Sequence, residues 1–512
     1  MDPDARFNAM MFEYPGGTGR GRFTYRSMWD GEELRLTWEN GTDTMVQFTV
    51  SMTTRMTENG KLKFSDTKSL TELCMPSTVV STPEPTIEER AVAAVAVPDG
   101  YPTPLTFSDQ YALMAYVLDD KTTGVIVVRT FTESPTQVGY VRAISNYFRE
   151  QIESFQKLGI KKIIFDVTGN PGGKAILPYD LILQLFPQSD AKNDAFSTVN
   201  MKYSPLTWAY LATLPGGDED QVWHNSNGDD FKDFKDFLGP VKLDGTYYTK
   251  LWRQDYLQFA DDNYNLTIFT EGAAPYKPED IVIISDTLCG SACHSFVEGL
   301  TSRGVRAFAF GGRPDGKLPM QTTGGTKGGK VVEYKTIFNN LRQNTKNSSV
   351  VDIAGPSDSW ELEALPISVK MIRCNSENKF RKGSTIPLQF TYTPACNRFF
   401  LTAEMFDNVV NLWKHVKDVA WDKDGKKIDC VKYETVKTTV TSAPKPKTTD
   451  KDGNVADATL VMDDDEDDDS WVDLDGDGTP DELFLSGALV EWKNFGQIVY
   501  KAMRHHGKDP TD

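Results

Sequence analysis

Two apolar runs separated by one amphipathic segment restrict this chain more than anything else in it. Gly124 to Phe131 (GVIVVRTF) reads as a strand, and Lys161 to Val167 (KKIIFDV) reads as a second, buried one. Between them, Tyr140 to Leu158 carries Val141, Ile144, Phe148, Ile152 and Phe155 at helical spacing. Strand, helix, strand in that order requires a right-handed parallel crossover and therefore an α/β core. The second strand runs into Thr168-Gly169-Asn170-Pro171-Gly172-Gly173. A Gly-Gly turn at the carboxyl end of a parallel strand can offer bare N–H groups to an anion, although Asn-Pro-Gly-Gly is also an ordinary tight turn.

A second strand-turn-helix lies further on. Ile281 to Ile284 is an unbroken apolar run, Cys289-Gly290-Ser291-Ala292-Cys293 follows, and Phe296, Val297 and Leu300 then share a helical face. Ser291 thus falls where a strand turns into a helix. Such a turn can hold a hydroxyl clear of the sheet, beside the free N–H groups and partial positive charge of a helix start. The plainer reading of Ser291 is an N-cap.

Composition narrows the classes of function. The chain has 512 residues, room for two to four domains, and no apolar run near the ~18 residues of a membrane span. A net charge of −18 without a basic cluster argues against nucleic acid as a partner. The six cysteines (Cys74, Cys289, Cys293, Cys374, Cys396, Cys430) and the sequons at Asn40, Asn265 and Asn347 fit an oxidising, secretory setting and a glycoprotein. Cys289 and Cys293 could bridge each other or Cys374, Cys396 or Cys430, and a structural disulfide at the serine turn is the expectation. Met1-Asp2-Pro3-Asp4 has neither the basic start nor the apolar core of a signal peptide, so the chain is expected to be intracellular or to lack its true N-terminus.

Residues 1–115 read as a β-rich domain, with short alternating segments at Arg22 to Arg26, Glu33 to Trp38 and Met45 to Met52 and no histidine before His224. At the other end, residues 435–470 form a Thr/Lys/Pro-rich and then acidic linker, and 471–512 a short acidic extension closing in an amphipathic helix from Leu485 to Arg504. Within that extension Asp473, Asp475, Asp477, Thr479 and Asp481 have the spacing of the front half of a calcium loop. Phe484 stands where a bidentate glutamate belongs, so a weak calcium site competes with a solvated acidic turn.

FDVTGNPGG followed by a helix-opening CGSACHSF resembles the C-terminal processing (tail-specific) serine peptidases, whose core has an Asp-x-x-x-Asn-x-Gly-Gly turn and a serine at a helix start. The likeness continues through Ala175 to Pro187, Phe231 to Val241, Tyr276 to Ile284, Gly311 to Gly324 and Phe390 to Trp421, and looks closest to the secreted fungal branch. It implies an α/β fold: a mixed-sheet peptidase core over 116–434, with the β-rich N-terminal domain PDZ-like. It also implies that Ser291 is the nucleophile, that Gly172, Gly173 and Ala292 (with the Ser291 N–H) form the oxyanion hole, and that catalysis needs no cofactor. By likeness to the bacterial enzymes, Lys317 is the general base and Gln321, four residues on, its orienting partner. The plainer reading of Lys317 is a solvated loop lysine. In a related subgroup a histidine upstream of the serine is the base, and this chain has none; His294, one helical turn past Ser291, reads as a partly exposed helix residue.

Two functions follow from the resemblance. One is a secreted serine endopeptidase acting on polypeptide through an acyl-enzyme on Ser291. The other is a catalytically silent relative that binds peptide or another ligand in the same cleft.

Overall fold

The computed structural model describes residues 4–5, 7–8, 33–37, 41–47, 57–58, 61–62, 97–98, 100–132, 139–187, 198–204, 207, 211, 223–243, 246–254, 260–261, 264–268, 271–313, 320–333, 337, 373–381, 384–430, 447–449 and 455–457. The chain divides into two compact units, Met1–Val431 and Lys432–Asp512. In the second, Lys447–Thr449 and Val455–Asp457 form an antiparallel pair. In the first, Glu33–Thr37 and Asp43–Gln47 form a hairpin within the segment expected to be β-rich. The segments Arg22 to Arg26 and Leu485 to Arg504 lie outside the described residues.

A mixed sheet of seven strands organises the first unit. Its strands are β1 (Thr106–Phe107), β2 (Leu113–Val117), β3 (Thr123–Val128), β4 (Lys162–Asp166), β5 (Ile281–Ser285), β6 (Arg306–Phe310) and β7 (Arg398–Phe399), lying side by side in chain order. The pairs from β3 through β7 are parallel, and β1–β2 and β2–β3 are antiparallel. The crossover expected between Gly124 and Val167 is therefore present as β3, helix α1 (Tyr140–Lys157) and β4.

Unbroken apolar runs form these strands because both faces of the sheet are covered. Ile126, Val128, Ile163, Phe165, Ile281 and Ile283 face α1, helix α2 (Ile176–Leu185) and helix α3 (Ala292–Thr301). Their neighbours Val125, Val127, Ile164, Val282, Ile284 and Phe308 face helix α4 (Val409–Ala420), around a fully buried Trp413. On the first face Phe165 stands between Phe148 and Phe296, with ring centroids at 6.0 Å and 5.4 Å. Gly124 is glycine because a Cβ there would lie 2.5 Å from the Phe155 ring.

Parallel pairing places the carboxyl ends of β4, β5 and β6 on one edge, so the turns that follow them converge there. Two disulfides, Cys289–Cys293 and Cys396–Cys430, pair four of the six cysteines. The first spans the serine turn. The packing of α3 on the sheet should depend on Phe296, which is fully buried against Phe131 and Phe165. Phe296→Ala is expected to lower the unfolding free energy by about 3–5 kcal/mol in urea titrations monitored by tryptophan fluorescence.

Candidate active site

Ser291 is the residue before the first turn of α3, at φ 55° and ψ −122°. A non-glycine residue at positive φ is strained by roughly 1–3 kcal/mol, which the neighbouring contacts have to hold in place. Three contacts do so. The Ser291 N–H donates to the Thr326 carbonyl (2.7 Å), Cys293 N–H donates back to Gly290 O (3.0 Å), and the disulfide closes the turn. The N-cap reading fails on geometry, because the serine side chain makes no capping hydrogen bond. Its hydroxyl has no hydrogen-bond partner among the described residues.

The glycine turn after β4 reaches this serine. A Cβ on Gly172, which has φ +102°, would lie 2.6 Å from Gly290 O and 2.7 Å from Ser291 Cβ. Only hydrogen fits there. Gly173, at φ +145°, sits as tightly on the other side, where a Cβ would meet the Phe131 backbone at 2.0 Å. The turn is fastened to β3 by Phe131 N–H to Gly172 O and Lys174 N–H to Phe131 O, both 2.9 Å.

Asn170 holds the two turns in register. Its side-chain amide donates to Val128 O (2.8 Å) and its Oδ1 accepts from Gly172 N–H (2.8 Å). Its own carbonyl accepts from Gly290 N–H at 3.4 Å. The Gly172 and Ser291 N–H groups are thus engaged, whereas those of Gly173 and Ala292 have no partner among the described residues. Asn170 stood in the sequence motif, but nothing in its spacing revealed that it would be fully buried and bonded to three segments.

A third segment, Gln321 to Gly328, completes the surroundings. Gly324 N–H donates to Thr287 O (2.8 Å), and a Cβ on Gly325 would lie 2.9 Å from Cys289 O, so this stretch runs along the serine turn. Gln321 Oε1 accepts from Lys327 Nζ, which also donates to Thr391 O (2.8 Å). Lys327 is buried and follows Thr326, the acceptor of the Ser291 N–H. Sequence reasoning missed this lysine, and its signal was the glycine pairs on either side of it in GGTKGG. Lys317 lies outside the described residues.

His294 is buried, not partly exposed, because Gly328 and Lys379 cover that face of α3. Its Nδ1 accepts from Gly328 N–H at 3.2 Å. Burial first, and then the charges of Lys379, Lys327 and Arg381, hold its pKa well below the ordinary imidazole value. Nearby, Glu298 pairs with Arg381, and Lys379 Nζ donates to Ser295 Oγ (3.1 Å).

Two buried carboxyls lie beneath the turns. Asp166 accepts from Trp413 Nε1 (2.8 Å) and from Thr168 N–H (3.0 Å), and burial raises its pKa. Asp286 accepts from Gly169 N–H (3.1 Å) and Leu288 N–H (3.0 Å), so one side chain touches both turns. Burial pushes its pKa up to about 6, with the Asp166 charge adding to the rise. The calcium-type residues Asp473, Asp475, Asp477, Thr479 and Asp481 lie outside the described residues. Among the described residues no group of three or more His, Cys, Asp or Glu side chains could hold a metal ion.

The arrangement is that of an α/β protein with a serine-centred site at the carboxyl edge of a mixed sheet. A family model described as a CPAF-like PDZ domain matches residues 1–57. The chain is 25% identical over 481 residues to the peptidase S41 family protein phomP1 of Diaporthe leptostromiformis, covering 80% of this chain and 71% of that one. It is 27% identical over 469 residues to the peptidase S41 family protein ustP of Aspergillus flavus, covering 81% and 93%. The chain is thus similar to fungal members of the peptidase S41 (tail-specific) family over four fifths of its length. Among solved structures, mature CPAF complexed with lactacystin aligns at 13% identity and a TM-score of 0.35, covering 76% of this chain and 66% of that one. The match spans just under two thirds of that protein, at a score too low to inform the site.

The raised pKa of Asp286 has a defined sign in stability. The folded state takes up a proton between about 6 and the unfolded value of 3.8, so this group's contribution is full below 3.8 and is lost as pH rises through 6. Asp286→Asn should remove that component. Thermal melts of the two proteins at several pH values are expected to show a smaller change in Tm between pH 4 and pH 7 for the variant.

Proposed function

We propose that this chain is a serine endopeptidase in which Ser291 attacks a peptide carbonyl and forms an acyl-enzyme. The observation that carries the reading is the contact of the Gly172 backbone with Ser291, which sets a strained serine beside two unbonded N–H groups. As Oγ adds to the carbonyl carbon, negative charge gathers on the carbonyl oxygen. The Gly173 and Ala292 N–H groups receive it, and the start of α3 adds its partial positive charge. Losing one such donor typically costs about 3 kcal/mol of transition-state stabilisation. The steps need no metal or cofactor. A thiol nucleophile is not available at this turn, since Cys289 and Cys293 are bonded to each other.

For the base we favour the amine of Lys327. General-base action requires a neutral amine, which has two N–H donors. Gln321 Oε1 and Thr391 O are acceptors for two donors, and Gln321 is the residue expected to orient the catalytic lysine. The proton taken from Oγ would pass to the leaving amine, and water would then release the acyl group by the reverse sequence. Lys317 is the alternative source of the amine.

The substrate is polypeptide, and an oxidising, extracellular site of action fits the two disulfides and the exposed sequon residue Asn265. No helix among the described residues is long and apolar enough to cross a membrane. A second reading, a silent relative that holds peptide in the same cleft, is favoured by one observation: the Ser291 hydroxyl makes no hydrogen bond to a described residue.

A fluorophosphonate probe separates the two. It is expected to label the protein at Ser291 and to leave Ser291→Ala unlabelled, and peptide cleavage persisting in Ser291→Ala would end the peptidase reading. Lys327→Ala is expected to slow labelling and turnover by roughly 100- to 10,000-fold. A comparable loss in Lys317→Ala, with Lys327→Ala near normal, would move the role to Lys317.

A further inference from the structure

We propose that Asn8 is a positioning residue for the nucleophile, clamping the ends of β5 and β6 and, through Asp286, fixing both turns of the site. The inference rests on the reading of Ser291 as nucleophile and adds a residue nearly three hundred positions away from it.

The parallel ladder between β5 and β6 ends at the pair Ser285 and Ala309, so Asp286 and Phe310 would be next in register. Their carbonyls are bridged by one side chain. Asn8 Nδ2 donates to Asp286 O at 2.7 Å and to Phe310 O at 3.0 Å. Its Oδ1 accepts from Gly312 N–H at 2.7 Å. Asn8 is 1% exposed, so these bonds are made where loss of a partner is expensive.

The loop after β6 is moulded on this segment. Gly311 and Gly312 have φ of +80° and +77°, and a Cβ on Gly311 would lie 2.4 Å from Asn8 Oδ1. Asp4, one helical turn earlier, accepts from Arg313 N–H (2.8 Å) and lies 3.8 Å from Arg398 Nη2. Arg398 Nε in turn donates to Gly311 O (3.0 Å).

What makes the clamp relevant to chemistry is the residue it grips. The Asp286 carbonyl is held by Asn8, while its carboxylate holds Gly169 in the glycine turn and Leu288 in the serine turn. A shift of the Asp286 backbone therefore moves donor and nucleophile together. Displacements of about 1 Å at a reacting group can cost on the order of 100-fold in rate.

The test uses the full chain. In Asn8→Ala the rate constant for fluorophosphonate labelling of Ser291 is expected to fall at least tenfold in protein that is still fully folded by thermal melt. Hydrogen exchange should quicken at the Gly169 and Leu288 amides. Asn8→Asp keeps the shape and the acceptor for Gly312 but loses both donors; it is expected to be slow in the same way and decides the matter if Asn8→Ala does not fold. Labelling at the parental rate, with unchanged exchange at those two amides, overturns the proposal. If the parent protein is not labelled at all, the nucleophile reading fails, and unchanged exchange in the variants would overturn the clamp separately.

Discussion

Everything at the candidate site depends on the approach of one glycine backbone to the serine turn. Gly172 can approach Ser291 only because it has no Cβ, and its φ of +102° is a conformation that other residues rarely adopt. That approach lays the glycine turn directly against Ser291 and the Ala292 backbone nitrogen. Asn170 and the serine turn's own backbone bonds then hold the arrangement from either side. In the proposed reaction the anion would meet backbone dipoles oriented in advance by packing.

The sheet supplies the rest. Because β4, β5 and β6 are parallel, three turns that are far apart in the chain emerge at one edge, and the floor below them is closed by the buried carboxyls of Asp166 and Asp286. Burying an acid is unfavourable unless its oxygens are satisfied. Here each carboxyl accepts from backbone N–H groups of the turns or from Trp413, so the desolvation that raises its pKa also makes it an efficient anchor.

The fold and the two halves of the site could be read from the sequence where local pattern determines them. Continuous apolar runs marked β3, β4 and β5, and the period of α1 was unambiguous, with Leu158 as its C-cap and Gly159, at φ 75°, turning the chain away. The Gly-Gly turn and the serine-bearing turn were visible because each needs particular residue types. What depended on distant partners was hidden. His294 reads as a surface position until Gly328 and Lys379 are laid over α3. Lys327 sits in a glycine-rich stretch without periodicity, so likeness to the bacterial enzymes pointed to Lys317, and the bond between Lys327 and Gln321 had no signal in the sequence. The cysteine pairing was open because geometry, not order in the chain, decides which thiols meet. Asn8 and Asp4 had no local signal at all.

The span of the Asn8 bond also bears on how the molecule comes together. Asn8 precedes Phe310 in the chain by 302 residues. During vectorial synthesis its amide must stay without these acceptors until the sixth strand of the sheet has emerged and docked. Folding rates fall as native contacts become more distant along the chain. The segment around Asn8 is accordingly among the last to find its place, and the edge of the sheet that carries the serine is the region whose maturation waits for it.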